Sequence, residues 1–172
     1  IDALRINPGN IGGEEKVKAV IKMAKEKKIP IRIGVNGGSL DKKVLSEDRT
    51  VVESMIQSAL EHISILEKMD FYDIVVSLKA SDIFRSIEAY TRFSEISSYP
   101  LHLGITESGG VRSGAVKSAI GIGSLLMNGI GDTIRVSLTA NPVEEVIIAK
   151  DILKSLNLYD KDIKIISCPT CG

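Results

Sequence analysis

Two closely spaced cysteines are the most reactive side chains in this sequence. Cys168 and Cys171 lie in the segment Ser-Cys-Pro-Thr-Cys-Gly at 167–172 and are the only cysteines among 172 residues. A Cys-x-x-Cys pair suits a redox dithiol, half of a zinc site or two ligands of an iron–sulfur cluster. The segment has neither the small βαβ context of a thioredoxin-like dithiol nor the second pair of a zinc ribbon. The choice among these chemistries therefore depends on the rest of the chain.

A second set of polar residues recurs at short spacing inside apolar segments. Residues i and i+2 of a β-strand face the same side of a sheet. Four of these side chains are cationic, and Glu107 is the only acid predicted at a strand end. Guanidinium groups bind phosphate oxygens and clustered charges need a counter-ion, so the set favours a diphosphate or another polyanionic ligand. Its members are Arg5 with Asn7, Arg32 with Asn36, Ser77 with Lys79, His102 with Thr106, and Arg135 with Ser137.

The elements that must position these residues alternate along the chain. Runs rich in Ile and Val predict six buried strands, at 4–6, 31–35, 74–78, 101–105, 134–138 and 163–166. Apolar residues three and four apart predict five helices between them, at 14–28, 51–69, 82–97, 113–128 and 143–156. This alternation repeats about every 30 residues, a length typical of βα units with right-handed crossovers.

Repeated βα units form either a doubly wound sheet or a (β/α)8 barrel. The polar pairs stand in the carboxyl-terminal halves of the predicted strands, and a closed barrel gathers them at the rim of one end, where barrel enzymes place their active sites. We therefore predict an α/β fold that is a partial TIM barrel. Six units fall short of eight, and a complete barrel takes about 250 residues. Residues 1–166 are accordingly interpreted as three-quarters of a substrate-binding barrel, within an internal fragment that lacks the first two units.

Composition excludes two classes of partner. The 22 basic and 22 acidic residues cancel, and three Phe, four Tyr and no Trp offer few surfaces for base stacking, so nucleic-acid binding is not expected. No apolar run reaches the roughly 20 residues of a membrane span, and no signal peptide is visible. Low cysteine use favours a reducing compartment, which makes the cytoplasm the expected location.

Six segments of the sequence resemble, in order, the (E)-4-hydroxy-3-methylbut-2-enyl diphosphate synthase family of the methylerythritol phosphate route to isoprenoids. The resemblance implies a TIM barrel followed by a smaller reductase-like domain with a [4Fe–4S] cluster. It also implies a homodimer that reductively opens 2-C-methyl-D-erythritol 2,4-cyclodiphosphate, with electrons from ferredoxin or flavodoxin, in the cytoplasm or in a plastid stroma. The segments are "LRINPGNIG", "IPIRIGVNGGSL", "VSLKASD", "PLHLGITESGGVRSGAVKSAIGIG", "GIGDTIRVSLTANPVEEV" and "CPTCG".

The same resemblance implies roles for individual residues. Cys168 and Cys171 match two of the cluster ligands, which in the family are three cysteines and one glutamate, and 167–172 becomes the junction to an iron–sulfur domain. Catalytic positions near the reacting part of the substrate are His102, Thr106 and Glu107. Contacts to the diphosphate and the rest of the substrate are Arg5, Asn7, Arg32, Asn36, Lys79, Arg135 and Ser137.

Two other interpretations of the same residues compete with this one. Lys79 is predicted at a strand end near other cations, and a lysine in such a position can serve as the Schiff-base nucleophile of a phosphate-binding barrel enzyme. A non-catalytic metal-binding module built on the cysteine pair is the third. Because two cluster ligands and two barrel units have no counterpart in these residues, the fragment alone is expected to be inactive.

The cluster assignment makes a direct prediction. Replacing Cys168 by Ser in the full-length protein, prepared without oxygen, is expected to abolish cluster assembly, because the thiolate is the iron ligand. Visible absorbance of the cluster and iron content measure the loss. A Cys168→Ser protein with full cluster absorbance and activity would show the assignment to be wrong.

Overall fold

The computed structural model describes residues 2–7, 14–39 and 49–159. The predicted strand at 163–166 lies outside these residues. The strands are β1 (Leu4–Ile6), β2 (Ile31–Asn36), β3 (Ile74–Lys79), β4 (His102–Leu103) and β5 (Thr133–Ile134). The helices are α1 (Glu14–Lys27), α2 (Val51–Glu67), α3 (Ile83–Ile96), α4 (Val111–Met127) and α5 (Pro142–Ser155), with a 3-10 turn at Gly37–Ser39.

Local capping interactions fix where the helices begin. Thr50 Oγ1 accepts a hydrogen bond from Glu53 N at 3.2 Å, and Thr50 N donates to Glu53 Oε2 at 3.0 Å, which forms a capping box at the start of α2. Asp82 and Asn141 cap α3 and α5 with their side-chain oxygens. These caps pair backbone N–H groups that have no partner within the helix.

The strands described form one parallel arrangement in chain order. β1, β2 and β3 pair side by side, and β4 pairs with β5. A parallel bridge between Val76 and Leu101 connects the two groups. Each strand lies beside the strand that precedes it in sequence, with a helix between them, as expected for consecutive units of a (β/α)8 barrel. The predicted partial TIM barrel is confirmed in its class and in the order of its elements.

The last two strands of this arrangement are shorter than the sequence predicted. The predictions of 101–105 and 134–138 are wrong in length, because β4 and β5 each contain two residues. Arg135 N still donates to Leu103 O at 2.9 Å, and Thr106 N donates to Ala80 O at 3.2 Å. These isolated hydrogen bonds keep the chain close to the neighbouring strand past each short strand, but they do not form the evenly spaced ladder of a parallel pair.

Alternation along the strands separates an apolar face from a polar one. Ile31, Ile33 and Val35 of β2 are at most 2% exposed and pack into the core beneath the helices. The residues between them face the other side, which we call the inner face of the sheet. Across the β2–β3 pair that face carries Arg32 beside Val75, Gly34 beside Ser77, and Asn36 beside Lys79. The register of the sheet therefore gathers the polar residues on one face.

No helix in the described ranges is long and apolar enough to cross a membrane.

A buried tyrosine ties α3 to the sheet. Tyr90 is fully buried, and its hydroxyl donates a 2.7 Å hydrogen bond to the carbonyl oxygen of His102. Burial raises the pKa of this phenol, so the hydroxyl remains a donor. The contact fixes the backbone at the first residue of β4.

Removal of this hydroxyl is expected to destabilise the fold. Tyr90→Phe leaves a carbonyl at a buried position without its donor, and we expect a loss of about 1–2 kcal/mol in the free energy of unfolding. Urea unfolding followed by circular dichroism measures the change. Tyr99→Phe is the matched control, because the Tyr99 hydroxyl bonds Glu67 in an exposed pair and its loss should matter less. Equal stability of Tyr90→Phe and wild type would contradict the role of the buried hydrogen bond.

Candidate functional site

Four cationic side chains act on one another across the inner face. We call Arg5, Arg32, Lys79 and Arg135 the cationic cluster. Arg5 and Arg32 are direct register partners on β1 and β2, and Lys79 ends β3 beside Asn36. Arg135 follows β5, on the far side of β4. The cluster therefore collects side chains from four βα units, as the sequence predicted.

The cluster extends along the depth of the inner face and is not confined to its carboxyl rim. Arg32 is the second residue of β2, and His102 is the first residue of β4, so both stand near the amino-terminal ends of their strands. Asn36 and Lys79 are the last residues of β2 and β3. The prediction of a rim at one end is thus wrong for Arg32, because Arg32 is the second of the six residues of β2, whereas His102 opens a strand of only two residues.

Two glycines leave room for the long cationic chains. A Cβ atom on Gly34 would collide with Arg5 Nε, and Arg5 Nη2 donates a 3.4 Å hydrogen bond to the Gly34 carbonyl. At Gly104 a Cβ atom would lie 2.9 Å from Lys79 Nζ and 2.9 Å from the Arg135 carbonyl oxygen. Each glycine therefore allows a cation from the neighbouring strand to lie across the sheet, a reason that the sequence alone did not reveal.

Burial and mutual repulsion shift the ionisation of the buried members. Burial, and then the charges of Arg32, Arg135 and Arg5, lower the pKa of Lys79 to about 8. Burial, then the charges of Arg5 and Arg135, likewise lower the pKa of Arg32. For His102, burial and then Lys79 and the arginines lower the pKa to about 3, so this imidazole is neutral at ordinary pH. The site is strongly electropositive and would be stabilised by a bound anion.

One carboxylate that the sequence analysis missed lies beside the cluster. Glu145 Oε2 is 3.9 Å from Arg135 Nε, and Glu145 Oε1 accepts a 2.9 Å hydrogen bond from Leu138 N. Its charge also opposes the lowering of the Lys79 pKa. Glu145 stands in the first turn of α5, and the helix that follows a barrel strand begins at the same end as the strand's carboxyl terminus. Its position at the start of α5 is the sequence signal from which the proximity of Glu145 to the site could have been predicted.

Five buried side-chain polar atoms have no hydrogen-bond partner in the part of the chain that the structure describes, and three of them belong to predicted site residues. These three are Arg32 Nε, His102 Nε2 and Thr106 Oγ1. Arg32 and His102 line a cavity of about 280 Å³ together with Arg5 and Thr133. Buried polar atoms are normally paired, so these atoms are available to hydrogen-bond a ligand.

The remaining predicted residues have different surroundings. Glu107 is exposed and has a backbone φ of 54°, an uncommon conformation for a residue other than glycine that often occurs at functional loops. Asn36 Oδ1 accepts a hydrogen bond from Gly38 N at 3.1 Å, while Asn7 and Ser137 are half-buried. Cys168 and Cys171 lie outside the described residues. Across 2–7, 14–39 and 49–159, no three His, Cys, Asp or Glu side chains come together as a metal site requires.

Fold and site together define a parallel (β/α)-barrel protein whose inner face carries a cluster of cations. The model of the GcpE TIM-barrel domain matches residues 1–150, and the chain belongs to this family.

Curated relatives match the chain from end to end. Three of them are named 4-hydroxy-3-methylbut-2-en-1-yl diphosphate synthase (flavodoxin). The protein from Fusobacterium nucleatum is 60% identical, and those from Clostridium tetani and Acidithiobacillus ferrooxidans are each 58% identical, in every case over 100% of this chain. The aligned part is 49%, 50% and 47% of those proteins, respectively, so the chain spans about half the length of the curated relatives it matches.

The lowered pKa of Lys79 predicts a pH dependence of anion binding. Lys79 is cationic below its pKa of about 8 and neutral above it, so affinity for inorganic pyrophosphate is expected to fall as pH rises through this value. Calorimetric titrations at several pH values measure the dependence. Pyrophosphate itself ionises in this range, so the informative quantity is the difference between wild type and Lys79→Met. The variant should bind about tenfold more weakly near neutral pH, with the difference shrinking in alkali. A difference that does not change with pH would contradict this.

Proposed function

We propose that the chain is the substrate-binding part of a longer (E)-4-hydroxy-3-methylbut-2-enyl diphosphate synthase, with residues 1–166 forming three-quarters of its barrel. In this proposal the substrate is 2-C-methyl-D-erythritol 2,4-cyclodiphosphate. The observation that carries the proposal is the cationic cluster, in which four cations on one sheet face have, within the described ranges, one nearby carboxylate, Glu145. Family membership and the names of relatives aligned over the whole chain support the same substrate.

The cationic cluster would neutralise and orient the diphosphate. Guanidinium groups form paired hydrogen bonds to phosphate oxygens, and a low-dielectric surrounding strengthens each contact. Buried and without a partner among the described residues, Arg32 Nε is a donor available for this purpose. Asn7, Asn36 and Ser137 add neutral hydrogen-bonding groups on the same face of the sheet.

Three polar residues of the segment 102–107 would face the reacting part of the substrate or hold its hydroxyl groups. Thr106 Oγ1 is buried and has no partner among the described residues, and Glu107 occupies the strained position beside it. We assign Glu107 to proton handling or to a substrate hydroxyl, because a protonated carboxyl group can donate a proton to a leaving hydroxyl and a carboxylate can accept a hydrogen bond from one. His102 adds an imidazole nitrogen at the base of the same face.

Conversion of the cyclic diphosphate into the product consumes two electrons and two protons and releases water. A [4Fe–4S] cluster would supply the electrons, with Cys168 and Cys171 as two of its ligands at the junction 167–172. Flavodoxin or ferredoxin would deliver the electrons to a homodimer in the cytoplasm. The remaining two ligands would come from outside this chain.

One specific observation, the lowered pKa of Lys79, supports a second candidate function. A lysine whose pKa is lowered to about 8 can attack a carbonyl and form a Schiff base. The chemistry differs from the first proposal, because a Schiff-base enzyme would be trapped covalently by borohydride in the presence of its substrate and a reductive dehydroxylase would not.

A single set of assays tests the proposal. The complete protein, prepared without oxygen and supplied with reduced flavodoxin, is expected to convert the cyclic diphosphate into the open-chain diphosphate, detected by phosphorus NMR. Arg32→Ala should raise the Kd for substrate about tenfold or more, since a hydrogen bond between charged groups is lost. Arg92→Ala is the matched control, because Arg92 pairs with Glu53 and Glu88 on the outer helices.

Each outcome separates the candidates. Turnover that depends on Arg32 and is indifferent to Arg92 supports the reductive function. Borohydride-dependent labelling of Lys79 without turnover would replace it by the Schiff-base alternative. Equal affinity of Arg32→Ala and wild type for the cyclic diphosphate would show that the cationic cluster does not bind the substrate.

A further inference from the structure

His102 is held in place by two hydrogen bonds that its immediate sequence does not reveal. Its Nδ1 is 2.8 Å from Thr133 Oγ1, and its carbonyl oxygen accepts the hydroxyl of Tyr90 at 2.7 Å. Thr133 is the register partner of His102 in the β4–β5 pair. Only 8% of His102 is exposed, so the ring has one fixed orientation on the inner face.

The second ring nitrogen of His102 has no partner among the described residues. His102 Nε2 is buried without a partner among the described residues, and His102 and Thr133 line the 280 Å³ cavity with Arg5 and Arg32. An unpaired buried nitrogen costs free energy unless a ligand or water satisfies it. Nε2 is therefore the ring nitrogen that remains to form a hydrogen bond with a ligand in the cavity.

The charges around the ring keep it neutral. After burial, the charges that act on His102 come from Lys79 and the three arginines of the cationic cluster, and all of them lower its pKa. A neutral imidazole carries one proton on one of two nitrogens, and the partner of one nitrogen decides which tautomer is present. For His102 that partner is the Thr133 hydroxyl, which can donate to a bare Nδ1 or accept from an Nδ1–H. The first arrangement leaves the proton on Nε2, and an anion in the cavity would favour it.

We propose that Thr133 is a positioning residue whose hydroxyl donates to His102 Nδ1 and thereby fixes the Nε2–H tautomer, so that His102 donates a neutral hydrogen bond to a phosphate oxygen in the cavity. The inference rests on the proposed function, because it takes the ligand to be a phosphate ester. An N–H at Nε2 attracts an anion, whereas a lone pair there would repel it. His102 then binds phosphate and does not transfer protons.

The tautomer is measured directly by nitrogen NMR. The complete protein, free of cluster, is labelled with [15N]histidine and saturated with inorganic pyrophosphate, and the His102 signals are identified by their loss in His102→Gln. The expected spectrum shows a protonated Nε2 and an unprotonated Nδ1, unchanged between about pH 6 and pH 8. An Nδ1–H tautomer, or an imidazolium in this range, would overturn the proposal. This measurement needs no substitution of Thr133.

Substitutions of Thr133 supply a second measurement. Thr133→Val keeps the shape and the strand preference but removes the hydroxyl, and Thr133→Ser restores it. We expect Thr133→Val to raise the Kd for pyrophosphate about fivefold and to give a mixture of His102 tautomers, since a net hydrogen bond contributes about 1 kcal/mol. Thr133→Ser should remain within about twofold of wild type. Thr91→Val on α3 is the matched control and should match wild type.

The results distinguish this inference from the proposed function. If wild-type protein does not bind pyrophosphate, the proposed function fails and the donor role of His102 fails with it. If wild type binds and Thr133→Val has the same Kd and the same single tautomer, only the role of Thr133 fails. If Thr133→Val does not fold, as judged by circular dichroism, the tautomer of the wild-type protein and the affinity of Thr133→Ser still decide the question.

Discussion

Mutual repulsion among four cations on one sheet face is the constraint on which the site depends. Charges that are partly removed from water without partners cost several kcal/mol, so an arrangement of this kind is stable only if it is hydrated, neutralised or occupied by an anion. The protein reduces the cost in two ways: Arg5 and Arg135 keep access to solvent, and Lys79 has a pKa low enough to lose its proton easily. Anion binding would remove the repulsion, which is a physical reason for strong phosphate recognition.

The parallel sheet makes this concentration of charge possible. Its outer side buries Ile, Val and Leu against the helices, which stabilises the strands independently of what the inner face carries. The inner face is then free to hold polar residues that contribute little to stability. Gly34 and Gly104 add the space that long side chains from adjacent strands need. Fold stability and ligand binding are thus assigned to opposite faces of the same strands.

Contacts from neighbouring elements organise the site as much as the cationic cluster does. Tyr90 fixes the backbone of β4 from beneath, Thr133 orients the His102 ring from the side, and Glu145 holds both Arg135 and the backbone of the segment after β5. These contacts come from α3, β5 and α5, so the site depends on the packing of three successive βα units. A ligand would encounter side chains whose orientations are largely set before it binds, which lowers the entropic cost of binding.

The sequence by itself determined the order of strands and helices, the partial barrel, and which side chains share a face, because strand and helix periodicity are local properties of the chain. It also determined the cationic character of the site and the family. Only the tertiary structure decided the depth of Arg32 and His102, the short β4 and β5, the reach of Glu145 and the pairing of His102 with Thr133, which lie 31 residues apart. These features depend on distances between separate segments, and on the burial and charge that result from them, and no local pattern encodes such distances.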